Sequence, residues 1–575
     1  MDLLFIKQYY FALVFLLCGL FSFRTVAQPF TDVAENQGIT QTYGYAIFGG
    51  GLSFCDFNGD GWDDLTFATE EGDSLLFFVN HEGHFMRIPT LVPDLGEAKQ
   101  VLWVDYDNDG DKDLFVTNMG SANKLYNNDG NLNLTDVSAQ SGLTTIPKST
   151  YGATFGDYDN DGWLDFYICH RYSNNLLLTN ELYHNDGNGH FTEVAELANA
   201  TDSIRPTFCA AFMDFNADGL QDIYISNDRL LARNTLLKNT GLGNFQDVSV
   251  RSNAGIHLDA MNVSVGDYDN DGDQDIYVTN TPFDGNMLLR NEGDETFEEV
   301  AATCGVMTNR FCWGANFCDF DNDADLDLYV CAMNIDATQP SPLYINDGLG
   351  SFSHTSIPGD TVKSYSNAVG DFNNDGHPDI AVSSVHPFPF LLFENETESD
   401  GHWLKIKLQG TRSNRDGIGS WIEIYFNGQK IIRYTHCGEG YLAQNSSTIH
   451  IGLGETIMID SIKVKWLSGI VDQFYEVPSD QVLFIEEGST IPDVEENVVV
   501  EWWLVPNPAD DIIRLKSNIA FYEPMPYTIT DQQGRVLLTG IMQPSLPVDV
   551  SKLASGVYFF KVELFSKVLP FIIHR

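Results

Sequence analysis

The sequence predicts an all-β chain organised around a seven-bladed β-propeller that is closed by its own N-terminal strand. Three observations carry that prediction. An acidic nonapeptide begins at Asp56, Asp105, Asp157, Asp214, Asp267, Asp319 and Asp371, at intervals of 49, 52, 57, 53, 52 and 52 residues. Each copy leads into a β-prone run, such as Asp113 to Thr117 or Asp275 to Thr279, while long amphipathic helical patterns are absent. A strand pattern of Phe with an apolar residue three on closes six of the repeats, and its seventh copy, Phe30 to Val33, stands alone near the N-terminus.

Fifty-odd residues with four strands is the size of a propeller blade. Between the acidic loop and the last strand lies a second signature, an apolar pair followed by Asn and a Gly-containing turn. It reads Leu125-Tyr126-Asn127-Asn128, Leu182-Tyr183-His184-Asn185 and Leu343-Tyr344-Ile345-Asn346, with looser copies at Phe77 and Leu392. The seventh repeat runs into 395–400 without a last strand, so the N-terminal strand at Phe30 completes the last blade and leaves no open edge.

The acidic loops place oxygen donors at positions 1, 3, 5 and 9, with the carbonyl of position 7. They are Asp56, Asn58, Asp60, Trp62 and Asp64; Asp105, Asp107, Asp109, Asp111 and Asp113; Asp157, Asp159, Asp161, Trp163 and Asp165; and Asp214, Asn216, Asp218, Leu220 and Asp222. The remainder are Asp267, Asp269, Asp271, Asp273 and Asp275; Asp319, Asp321, Asp323, Asp325 and Asp327; and Asp371, Asn373, Asp375, His377 and Asp379. Five or more protein oxygens in a flexible loop suit Ca²⁺ better than Mg²⁺, and Gly at position 6 permits the sharp turn. Up to seven Ca²⁺ are expected. Ala324 replaces the glycine of the sixth copy, so that site is expected to be strained or empty. Copies one, four and seven carry Asn at position 3 and are expected to bind more weakly than copies two, three and five.

These repeats, over roughly residues 30–395, resemble the FG-GAP/VCBS repeats of integrin-α-type propellers, in phrases such as Val265-Gly266-Asp267 and Trp313-Gly314-Ala315-Asn316. The resemblance implies calcium loops that join neighbouring strands within a blade and stiffen it.

The formal charge is −50, from 81 acids against 31 bases. Nucleic acid and anionic lipid are therefore excluded as partners by repulsion. Lys7, the apolar run Tyr9 to Phe23 and the small residues before Gln28 read as a signal peptide over 1–27. No other segment has the length and hydropathy to span a membrane. Eight cysteines follow it, and Cys304 and Cys312 are close enough in sequence to pair.

After a propeller over 28–400, the alternating pattern from Leu404 lacks acidic loops. The segments Asn414 to Ser420, Gly438 to Ser446 and Ile462 to Gly469 resemble the ASPIC/UnbV domain found after such propellers in bacterial proteins and in the cartilage acidic protein family. That match spans 402–485 and implies a small β domain. An acidic linker, 486–500, leads to Pro506-Asn507-Pro508, Tyr527 to Asp531 and Gly556 to Tyr558, which resemble a type A sorting domain of the type IX secretion system over 501–575. That resemblance implies a C-terminal β-sandwich, recognition by the type IX machinery, and delivery to the surface or medium of a Gram-negative bacterium.

A rigid ring of loops suits a binding protein whose ligand is an extracellular glycan or a surface protein. Trp62 and Trp163 can be displayed for stacking on sugars or can pack between blades. A polysaccharide lyase or hydrolase, or a structural part of a surface complex, is the alternative. The carboxylates follow the calcium pattern, leaving no isolated acid/base pair. His436, Cys437 and Glu439 read as turn and packing residues, and His170, His184 and His190 lack metal-ligand spacing on any single element.

Overall fold

The runs that follow each acidic loop are apolar at consecutive positions, as central strands covered on both faces require. In the computed structural model, Asp64–Phe67, Asp165–His170 and Asp379–Ser384 are buried at every position. The structure describes residues 30–93, 96–173, 176–241, 243–333, 339–397, 401–490, 502–517, 525–542, 546–562 and 568–574. The signal peptide, linker residues 491–500 and Lys567 lie outside them.

Two compact units are present, Met1–Ile491 and Pro492–Arg575. The first contains seven antiparallel four-stranded meanders, one per repeat, and the sheet of blade 1 gains a fifth strand, Ala443–Gln444, in parallel. Blade 1 is Leu52–Cys55, Asp64–Phe67, Leu76–Asn80 and Phe85–Ile88. Blade 7 takes its outer strand from the N-terminus: Phe30–Asp32 pairs with Leu391–Asn395 in the register Phe30↔Asn395 and Asp32↔Phe393. The ring is closed by main-chain hydrogen bonds between residues more than 360 apart. Phe30 is buried, with its ring edge-on to Phe320 at 5.7 Å. Truncation of this anchor by Phe30→Ala is expected to cost about 3–5 kcal/mol in chemical denaturation, since it opens a cavity at the closing seam.

In blades 3, 5 and 7 a glycine, Gly156, Gly266 or Gly370, precedes the position-1 aspartate, and packing between blades explains it. A Cβ at Gly370 would lie 2.6 Å from the Phe54 ring of blade 1, and one at Gly156 would lie 2.7 Å from the Phe212 ring of blade 4. The inner strands approach too closely for a side chain there.

Residues 402–486 form a three-stranded and a four-stranded sheet. Leu404, Ile406 and Ile485 of the first share one core with Ile422, Ile462 and Val464 of the second. The C-terminal unit likewise has a three-stranded and a four-stranded sheet around Ile513, Ile529, Phe560 and Phe571. Pro570 sits in its last strand, Val568–Ile573, which lies at the edge of the four-stranded sheet.

One expectation is corrected. Cys304 and Cys312 do not pair, and all eight described cysteines are free. Cys304 ends the short helix Ala301–Cys304, with Sγ 3.6 Å from the Tyr268 hydroxyl, whereas the fully buried Cys312 opens the inner strand of blade 6. Among the described residues no helix is long and apolar enough to cross a membrane.

Candidate metal centres and the domain that caps them

Each acidic loop is shaped by its own side chains. In all seven, the position-6 N–H donates to Oδ2 of the position-1 aspartate at 2.8–3.1 Å. The position-7 N–H donates to Oδ1 of position 5 at 2.9–3.2 Å, at Trp62, Asp111, Trp163, Leu220, Asp273, Asp325 and His377 alike. The position-6 glycines have positive φ, for example 95° at Gly61 and 102° at Gly272. Ala324 is held at φ 84°, so the sixth loop carries the expected backbone strain while keeping its turn.

The signature Asn of the third strand has a role that its sequence pattern alone did not disclose. Its backbone N–H donates to Oδ1 of the position-9 aspartate in every blade, at 2.7–2.8 Å. In six blades its Nδ2 also donates to the position-2 carbonyl of the preceding blade's loop, as in Asn185 to Tyr106 at 2.9 Å and Asn80 to Phe372 at 2.7 Å. The loops are thus stitched to one another around the ring. Their recurrence at a fixed offset from position 9 was the available signal.

Four loops bring three carboxylate oxygens within 4.8 Å of one another: Asp105, Asp107 and Asp113; Asp157, Asp159 and Asp161; Asp267, Asp269 and Asp271; and Asp319, Asp321 and Asp327. Several of these oxygens are buried without any hydrogen-bond donor, among them Asp107 Oδ1, Asp113 Oδ2, Asp267 Oδ1 and Asp269 Oδ1. Buried anionic oxygens left in that state are costly unless a cation or a proton meets them. Burial pushes the Asp113 carboxyl up to about 9, with the charges of Asp107 and Asp111 adding to the effect. Burial likewise raises Asp64 to about 8 and Asp267 to about 7. This donor set fits a hard divalent ion, and these clusters can hold metal ions.

The three loops with Asn at position 3 are completed differently. There the position-1 aspartate meets a side chain from the second domain. Lys407 Nζ lies 3.5 Å from Asp56 Oδ2, Trp421 Nε1 donates to Asp214 Oδ2 at 3.0 Å, and the buried Lys405 pairs with Asp371. Loop 2 is also engaged: Asp416 pairs with Lys112 and accepts the Asp105 N–H at 3.0 Å, and the Arg415 N–H donates to Asn108 Oδ1 at 2.9 Å. The second domain therefore caps the face that carries the acidic loops.

From this cap the segment His436 to Ser446 enters the central channel and bonds to all seven blades. Ala443 and Gln444 pair in parallel with Leu52 and Ser53 of blade 1. Gln444 bonds both the N–H and the C=O of Trp103 in blade 2, at 2.8 and 2.7 Å. The Cys437 carbonyl accepts from Phe155 in blade 3, His436 Nδ1 lies 3.0 Å from the Phe212 carbonyl in blade 4, and the Gly440 N–H donates to Val263 in blade 5. Asn445 reaches Asn316 in blade 6, and Ser446 reaches the Val369 carbonyl in blade 7. Tyr441, Leu442 and Ala443 are fully buried. His436 and Cys437 are therefore part of a channel plug.

Trp62 and Trp163 are half-buried on the capped side, and Trp163 packs so closely on Gly187 that a Cβ there would be 2.8 Å from its Nε1. His170 is buried against Glu181 at 3.0 Å. His184 departs from its sequence reading, because it lies beside Asp159 and Asp165 of loop 3.

Comparison with known families follows the same modular division. The FG-GAP-like repeat model matches residues 56–116, 105–168, 171–225, 214–278, 267–330 and 335–382, which together exceed half of the chain. The chain belongs to the FG-GAP-like repeat family. The model described as ASPIC and UnbV matches residues 410–492, and that for a secretion system C-terminal sorting domain matches 504–569. This FG-GAP propeller is therefore of an extracellular type carrying a secretion tail.

Cartilage acidic protein 1 from Homo sapiens is 22% identical over 456 residues, covering 73% of this chain and 60% of its own length. The Xenopus tropicalis protein of the same name is 23% identical and is covered over 61%. The FG-GAP chain thus spans about 60% of the length of the curated relatives it matches. Among solved structures, BBS1N in complex with ARL6DN is similar at TM-score 0.42 and 10% identity, over 65% of this chain and 99% of that one. The Dos1 propeller is similar at TM-score 0.34 and 10% identity, over 64% and 95%.

Proposed function

We propose that this chain is a secreted or cell-surface calcium-binding propeller that binds an extracellular glycan or surface protein, with Ca²⁺ in a structural role. The observation that carries the reading is the distribution of exposed apolar side chains. With one face capped and the channel plugged, the accessible loops are those at the opposite face, between the second and third strands and between successive blades. There Leu231 is 97%, Phe283 86%, Tyr45 74% and Ile47 69% exposed. Large apolar groups left exposed on an accessible face are what a recognition surface offers.

The unpartnered, buried carboxylate oxygens of the loops support a structural cation. The sorting tail supports a route through the type IX secretion machinery. Binding to glycan arrays and to extracted surface proteins tests the reading, with Leu231→Asp and Phe283→Asp as variants. Binding by the native protein that both variants lose, at unchanged thermal stability, is expected. Unaltered binding would move the site off this face, and turnover of a polysaccharide panel would instead favour an enzyme.

A further inference from the structure

In blades 2, 3, 4 and 7 the residue just before the signature Asn of the third strand reaches the acidic loop of its own blade, and its identity differs from blade to blade. In blade 2 it is Asn127, whose Nδ2 donates to Asp107 at 3.0 Å and to Asp113 at 3.3 Å. In blade 4 it is Lys238, 4.0 Å from Asp218 and paired with Glu295. In blade 3 it is His184, on the strand Glu181–Asn185.

The imidazole is aimed into loop 3. His184 Nδ1 lies 3.3 Å from Asp165 Oδ1 and 3.5 Å from Asp159 Oδ2. These three donor atoms fall within one cluster no wider than 4.8 Å. Nδ1 is itself buried and has no aligned hydrogen-bond partner. The Tyr158 ring stands edge-on to the imidazole at 6.1 Å. Asp186 Oδ1 lies 4.0 Å from Nε2, beyond hydrogen-bond distance, and Asp186 is bonded to His190.

The donor type discriminates between ions. The observed 3.3 and 3.5 Å suit tetrahedral edges of about 3.4 Å around a metal with bonds of about 2.1 Å and equally right-angled edges around Ca²⁺ at about 2.4 Å, so the nitrogen donor decides. Calcium and magnesium take oxygen donors, whereas imidazole suits zinc and the neighbouring first-row ions.

We propose that loop 3 is a mixed nitrogen–oxygen site, formed by His184, Asp159 and Asp165, that takes a first-row divalent transition ion of the Zn²⁺ type in preference to Ca²⁺. This rests on the reading of the acidic loops as metal sites and deepens it for one loop. The remaining six keep oxygen donors and Ca²⁺. The propeller is then a heterometallic ring, with one blade responsive to a different ion from its neighbours.

Co²⁺, a spectroscopic substitute for Zn²⁺, tests the assignment on the full chain in excess Ca²⁺. The native protein is expected to bind one Co²⁺ with a visible ligand-field spectrum, and Zn²⁺ is expected to displace it. His184→Asn, which reproduces the residue found in blade 2, is expected to weaken Co²⁺ binding at least about tenfold. It should leave the stabilisation by Ca²⁺ largely intact. Absence of Co²⁺ binding in the native protein, or equal affinity in the variant, overturns the proposal while the Ca²⁺ response persists. Loss of both the Co²⁺ and the Ca²⁺ response in the native protein would instead overturn the loop reading on which it rests.

Discussion

Removal of calcium is expected to lower the unfolding temperature of the capped propeller by on the order of 20 °C. At free Ca²⁺ about a hundred times the dissociation constant, one site stabilises the folded state by about 2.7 kcal/mol. The three well-formed all-oxygen loops, in blades 2, 5 and 6, then contribute about 8 kcal/mol, comparable to the whole stability of a typical domain. Emptied loops also hold buried carboxylates close together, and the pKa shifts set a pH dependence.

Asp113, Asp64 and Asp267 are raised to about 9, 8 and 7, each mainly by burial. Between the ordinary carboxylate value and these raised values, the folded apoprotein binds more protons than the unfolded chain. Its stability is therefore fullest near about pH 4 and is lost as pH rises through the raised values. The calcium-loaded protein keeps the same carboxylates ionised and lacks that loss. Thermal unfolding with and without chelator is expected to show a gap that widens from about pH 5 to pH 9. A gap of constant width would separate the titration from the metal sites.

The channel plug is expected to give the second-largest effect. Gln444→Ala removes partners from the buried Trp103 N–H and C=O and from the Ser53 hydroxyl, at 2.8, 2.7 and 2.7 Å. Leaving buried main-chain groups unpaired costs about 1–3 kcal/mol each, so a loss of about 3–5 kcal/mol is expected in denaturant. The variant should also release the second domain to proteolysis under conditions in which the propeller survives. The close approach of Gly51 supplies an independent probe, because a Cβ there would lie 1.7 Å from the Leu442 carbonyl oxygen. Gly51→Ala is expected to displace the plug from the blade 1 side. Unchanged stability in both variants would mean that the plug merely occupies the channel.

The ring itself was legible in the sequence because its signals are local and repeated. Seven loops with fixed donor spacing, and a lone Phe30 strand with no partner repeat, determine the blade count and the closing seam. The plug was not legible. Gly438 to Ser446 stood out as a motif, but the partners of the plug are spread over all seven blades, with Gln444 reaching Ser53 across 391 residues, and no periodicity connects them. The loops with Asn58, Asn216 and Asn373 were marked as deficient in charge, yet the lysines and tryptophan that reach them belong to another domain. His184 was set aside for the same reason. Its ligand partners sit on a loop some twenty residues earlier, and only the strand register of blade 3 brings them together. Cys304 and Cys312 show the opposite error, since nearness in sequence did not survive the placement of one on a helix and the other inside a buried strand.

The metal content of the secreted protein tests the central claim most directly. Native mass spectrometry of the full chain in calcium-containing buffer is expected to show at least four bound divalent ions, lost stepwise as Asp107→Ala, Asp269→Ala and Asp321→Ala are combined. A chain that retains no divalent ion, or whose ion count ignores these substitutions, would contradict the reading of the acidic loops as structural metal centres.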